Sequence, residues 1–155
     1  KTSFDIEEKF FESHHAPHYV TAYKIFLSHP IFGIGINNFY SESSKKKYID
    51  KRLQYSGGSR ASTHAHQLYL EIISEVGLVG LMYFIFIFLY PVYLSLKSLF
   101  KTQEISILSH LFLHFYFIFP ILPSGSIFGT NTGVPFWFNL TILIYFSKKN
   151  LKIYS

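Results

Sequence analysis

The sequence predicts an all-α membrane protein, with about three transmembrane helices preceded by a large loop region that carries short amphipathic helices. Three observations lead there. Of 155 residues, 49% are hydrophobic and only 15% charged, where an ordinary soluble domain is nearer a quarter charged. The apolar excess is gathered after Val76. Within it lie three uncharged runs bounded by polar or proline-containing segments.

The first region, residues 1–75, is polar and mixed. Tyr19 to Ser28 reads as an amphipathic helix, with Tyr19, Val20, Tyr23, Phe26 and Leu27 on one stripe and His18, Thr21, Lys24 and Ser28 opposite. Pro30 ends it. Gly33 and Gly35 then give a tight, irregular turn. Lys45 to Tyr55 is expected to form a short helix, and Ser56-Gly57-Gly58-Ser59 a flexible break. A further helix is expected to start near Thr63, capped by Ser62 or Thr63, and to run unbroken into the first span. On it Gln67, Glu71 and Ser74 share one face and Leu68, Ile72 and Val76 another, while Gly77 and Gly80 permit close approach of a neighbouring helix.

The first expected span is 76–96, whose twenty-odd uncharged positions suffice to cross a bilayer core. Pro91 should kink it near its inner end. Residues 97–104 form a connection, 105–122 a second span containing His110 and His114, and 123–133 an uncharged turn. A shorter third span covers 134–147, with a tail at 148–155 whose Lys148, Lys149 and Lys152 can snorkel. Lys97 and Lys101 with the tail lysines place 97–104 and the C-terminus on the cytoplasmic side. The 123–133 turn and residues 1–75 then lie outside, long loops being translocated largely regardless of charge.

Composition excludes several chemistries. There is no cysteine, hence no disulfide, thiolate nucleophile or zinc–thiolate site. The net charge of +5 is concentrated: residues 41–60 carry Lys45, Lys46, Lys47, Lys51, Arg52 and Arg60 against two acids. Such a block suits an anionic partner, or is a solvated loop that is simply basic. Nucleic acid is not the expected partner, because the block lacks interleaved stacking aromatics and lies on the outer side. The N-terminus is acidic rather than basic then apolar, so no signal peptide is expected, and Lys1 in place of Met favours a fragment.

His64 and His66 are the first candidates for chemistry. They stand just before a helix start, where backbone N–H groups and the helix dipole favour anions, and Arg60 is four residues upstream. Imidazole exchanges a proton near neutral pH and arginine clamps phosphate bidentately. Together they suit a pyrophosphate-linked substrate; the alternative is two loop histidines in ordinary hydrogen bonds. A His-x-His metal site needs a third ligand, and the spacing of His14, His15 and His18 matches no metal pattern, so no metal or other cofactor is expected. His110 and His114 share a helix face, with a polar helix–helix contact the favoured reading.

Two blocks are also familiar. The segment His18-Tyr19-Val20-Thr21-Ala22-Tyr23-Lys24-Ile25-Phe26 with His29-Pro30-Ile31-Phe32-Gly33-Ile34-Gly35-Ile36-Asn37-Asn38-Phe39 resembles the O-antigen ligase-like family. So does Ser62-Thr63-His64-Ala65-His66-Gln67-Leu68-Tyr69-Leu70-Glu71 leading to Glu75-Val76-Gly77-Leu78-Val79-Gly80. Ala65 departs from the proline often found there, and Gln67 from a common asparagine.

The resemblance implies the C-terminal portion of a multi-pass protein of the bacterial inner membrane, with residues 1–75 as a large periplasmic loop. The implied activity is a metal-independent, inverting glycosyltransferase that moves a glycan from an undecaprenyl-pyrophosphate carrier to lipid A core (ligase) or to a growing polysaccharide acceptor (polymerase), the portion alone being inactive. Ligase is the preferred reading. By position His66 matches the family histidine and is the expected catalytic residue, with Arg60, Arg52, His64 and Gln67 expected on the pyrophosphate. A reading of another class is a non-catalytic part of a polysaccharide flippase or transporter; transporters place more polar groups within their spans than His110 and His114.

Overall fold

A computed structural model describes residues 9–53, 61–103, 105–120 and 124–153. Every regular element among them is helical, as expected: α1 (Ala16–Ser28), α2 (Phe39–Ser43), two 3₁₀ turns (Lys46–Tyr48 and Lys51–Leu53), α3 (Leu68–Thr102), α4 (Ile107–Ile118) and α5 (Thr130–Ile153). The chain separates into two compact units, Lys1–Leu81 and Met82–Ser155.

In the first unit α1 begins three residues before the expected start. Pro17 occupies its first turn, where a missing N–H costs nothing, and the Ala16 N–H donates to Ser13 Oγ at 3.2 Å. The face it buries is not the aromatic stripe. His18, Thr21, Ala22 and Ile25 point inward, whereas Tyr23 and Leu27 are more than half exposed. The inward face wins because small side chains let α1 approach its neighbours closely. Ala22 and Ile25 join Phe39, Tyr48 and Ala65 in one core cluster, flanked by Ile34 and Leu70.

The helix expected over 45–55 is two 3₁₀ turns within its described part, and the 56–59 break lies outside the described residues. Short turns suffice because side-chain ion pairs hold the segment. Glu42 receives Lys45, Lys47 (2.8 Å) and the Tyr48 hydroxyl (2.7 Å). Burial alone would raise its carboxyl, but these donors and the Lys47 charge outweigh it and bring it down to about 2. Asp50 takes both Arg52 and Lys24.

α3 starts at Leu68 rather than Thr63, and it is not unbroken. Gln67, not Ser62 or Thr63, supplies the cap, its side-chain oxygen accepting from the Leu70 N–H at 2.7 Å. Gly77 then interrupts the helical dihedrals with φ 66° and ψ −165°, a region open essentially to glycine alone. The neighbour that Gly77 admits is an irregular segment, not a helix, whereas Gly80 faces only Val76 of its own helix. The Ile34 and Gly35 N–H groups donate to the carbonyls of Ser74 (3.1 Å) and Glu75 (2.8 Å), and Leu78 and Val79 donate back to Pro30 (2.9 Å) and Ile31 (3.2 Å). The Glu75 carboxylate also accepts from the backbone N–H of Asn37 (3.1 Å) and of Phe39 (3.3 Å). A Cβ at Gly33 would collide with the Glu75 backbone, and one at Gly77 with that of Ile31. Pro91 is accommodated within the helix without such a break.

α3 is the one helix among the described residues both long and apolar enough to cross a membrane. α4 is apolar but has 12 residues, about 18 Å at 1.5 Å per residue, against a hydrocarbon core of roughly 30 Å. α5 has 24 residues and runs beyond the expected 134–147 at both ends. The expected count of three spans is therefore not reproduced by this criterion. Inside the second unit the histidines act as helix–helix contacts, as read from the sequence. His110 Nδ1 lies 2.9 Å from Asn139 Oδ1, and Asn139 Nδ2 donates back to the His110 carbonyl at 3.1 Å. His114 Nε2 donates to the Phe88 carbonyl at 3.0 Å, and Ser95 meets Ser147 at 3.1 Å.

Candidate functional site

The chain places the His64-Ala65-His66 loop by burying its middle residue. Ala65 is fully enclosed in the core cluster with Ala22, Ile25, Phe39 and Tyr48. That anchor leaves the flanking histidines partly exposed. His66 has φ 58°, a left-handed conformation that costs a non-glycine residue on the order of 1–3 kcal/mol unless its surroundings hold it.

Three other imidazoles surround it. The His66 ring lies 4.1 Å from His64, 4.6 Å from His18 and 5.8 Å from His15, centroid to centroid. Ser62 Oγ is 3.1 Å from His66 Nε2, the direction of that bond being set by the tautomer. Thr63 Oγ1 stands in the same relation to His64 Nδ1 at 3.0 Å. His15 stacks on Tyr19 one helical turn along α1.

Crowding fixes the charge state. Burial first, then the neighbouring His66, His15 and His64, pushes His18 from the ordinary imidazole value down to about 4. Burial, and then His15, lowers His66 as well. Both rings are neutral at pH 7 and so able to accept a proton. Although four histidines meet here, no group of His, Asp or Glu among the described residues has the arrangement of a metal site.

The other expected site residues are distributed differently. Arg60 lies outside the described residues. Arg52 is bound by Asp50, with Nε to Oδ1 at 3.1 Å and Nη2 to Oδ2 at 2.9 Å, and its guanidinium lies 4.5 Å from the Phe11 ring. That guanidinium and Lys24 hold the Asp50 carboxyl well below the usual carboxylate range. The basic block is thus charge-compensated at Lys45, Lys47 and Arg52. Gln67 commits its carbonyl oxygen to the α3 cap, occupying an N–H that the sequence reading left for an anion.

The spacing of His15 and His18 matches no metal pattern. The signal was there in another form: His18, Thr21, Ala22 and Ile25 follow one helical stripe, and that stripe faces the Ala65 anchor. His14 is exposed.

Comparison with known proteins agrees with this region of the chain. Residues 17–85 match the family model described as O-antigen ligase. The match runs from α1 through the histidine loop and past the Gly77 break. No curated protein and no solved structure matches the chain.

Proposed function

We propose that this chain, whose residues 17–85 match the family model described as O-antigen ligase, is the C-terminal portion of a glycosyltransferase of the bacterial inner membrane. In this reading residues 1–75 face the periplasm and act on a glycan linked to undecaprenyl pyrophosphate. The acceptor is lipid A core, the ligase reaction. The observation that carries the reading is His66, a neutral imidazole in a left-handed backbone conformation, set just before the one apolar helix of spanning length among the described residues.

The chemistry follows from that placement. An acceptor hydroxyl attacks the anomeric carbon, the new C–O bond forms as the bond to pyrophosphate breaks, and the configuration inverts. The electron pair leaves with the pyrophosphate. His66 takes the hydroxyl proton, a role for which a histidine neutral at working pH is suited. His64, within ring contact of His66, supports it beside the departing phosphates. Arg60 supplies the cationic clamp for the phosphates, because Arg52 is already paired with Asp50 and guanidinium binds phosphate bidentately.

His66→Ala in the full-length protein is expected to abolish glycan transfer while expression and membrane insertion are unchanged. Lipopolysaccharide profiles of complemented cells measure this, and full transfer by the variant sinks the assignment.

A further inference from the structure

We infer that His18 is a positioning residue for His66: its buried ring forms the wall against which the His66 imidazole is held in its left-handed conformation. The inference rests on the catalytic reading of His66 given above. Three features carry it. His18 belongs to the rigid inward face of α1, with Thr21, Ala22 and Ile25, all of them fully buried, along the same stripe. Its own exposure is 9%, so it has almost no freedom to move aside. Its ring sits 4.6 Å from that of His66 at a tilt of 54°, within the range of favourable aromatic packing.

The direction of influence runs from helix to loop. His66 occupies a left-handed backbone conformation, uncommon for a residue with a Cβ. His18 lies in regular helix and needs no such support. Its Nδ1 is buried with no hydrogen-bond partner among the described residues, so packing rather than hydrogen bonding at that atom fixes the ring. A proton store is the poorer role for it. Burial and the three neighbouring imidazoles bring His18 down to about 4, which makes it a poor proton acceptor near neutral pH. What His18 supplies to His66 is a face.

The test uses the full-length protein in membranes, with His18→Ala and His18→Phe compared with the unsubstituted chain. Diethyl pyrocarbonate modifies neutral imidazoles, and peptide mass spectrometry reads the rate at His66 and at His64 separately across pH. With His18→Ala, His66 should react faster, with its titration shifted toward that of an ordinary histidine, while His64 changes little. Glycan transfer should fall on the order of 10–100-fold, the cost of a small misplacement of a reacting group. His18→Phe keeps a ring of similar shape and should restore most of both readings. Unchanged His66 reactivity in His18→Ala overturns the inference, as does equal acceleration at His64, which marks general loosening. A His18→Phe chain behaving like His18→Ala overturns it too, by making the nitrogen and not the ring the working part. None of these reactivities depends on transfer, so failure of the catalytic reading, seen in His66→Ala, remains separate.

Discussion

At the scale of single residues, the site is defined by two departures from ordinary behaviour, a left-handed histidine and a glycine in a region closed to other residues. The second gives a sharp expectation. Gly77→Ala forces a side chain into a conformation costing about 1–3 kcal/mol and drives its Cβ into the Ile31 carbonyl. Gly129→Ala brings its Cβ no nearer than 3.4 Å to Ser126, an ordinary van der Waals contact. Thermal stability in detergent should therefore drop clearly for the first substitution and little for the second; equal losses would contradict the backbone contact. His18 adds a dependence on pH. Its folded value of about 4 lies below the ordinary 6.5, so the unfolded chain binds the proton more readily. Stability from this group is complete above about pH 6.5 and is lost as pH falls toward 4. Melting curves across that window should show the decline, and His18→Phe should flatten it.

Among the elements, what could be read from the sequence depended on how the information was stored. Helical class, α1 and the long apolar helix were legible because period and length are local properties. The buried face of α1 was not. Hydrophobicity pointed to Tyr19, Tyr23 and Leu27, but close packing selected Ala22, Thr21 and His18, and size complementarity is invisible without the partner surface. The start of α3 was misplaced for a similar reason: Ser62 and Thr63 are good caps in isolation, yet their hydroxyls meet His66 and His64, leaving Gln67 to cap. His64 and His66 were legible as a pair. Their meeting with His15 and His18 was not, since it depends on Ala65 docking across some forty residues of sequence. The basic block misled in a different way. Charge counts along a chain do not reveal that Glu42 and Asp50 each gather more than one cation.

For the whole molecule, the expected orientation makes a prediction that the absence of native cysteine renders clean. Single cysteines at Ser41 and Gly129 should label from outside intact spheroplasts with a membrane-impermeant maleimide. One at Lys101 should label only after permeabilisation. Labelling of Lys101→Cys from outside would reverse the assignment of residues 1–75 to the periplasm. The same experiment bears on α4, whose 12 residues fall short of the bilayer core: if it does not cross, position 129 will sort with 101.

The pairing of residues 30–35 with 74–79 has a consequence for how the molecule can vary. Residues 36–73 leave and return at the same place, so that stretch is a closed excursion whose two feet are tied together by backbone bonds and by the Glu75 carboxylate. Closed excursions tolerate added length at little entropic cost, because doubling a loop adds only about 0.6 kcal/mol. Length added to that excursion thus leaves the register at the root of the long helix undisturbed. The excursion is free to vary in length while its feet stay fixed.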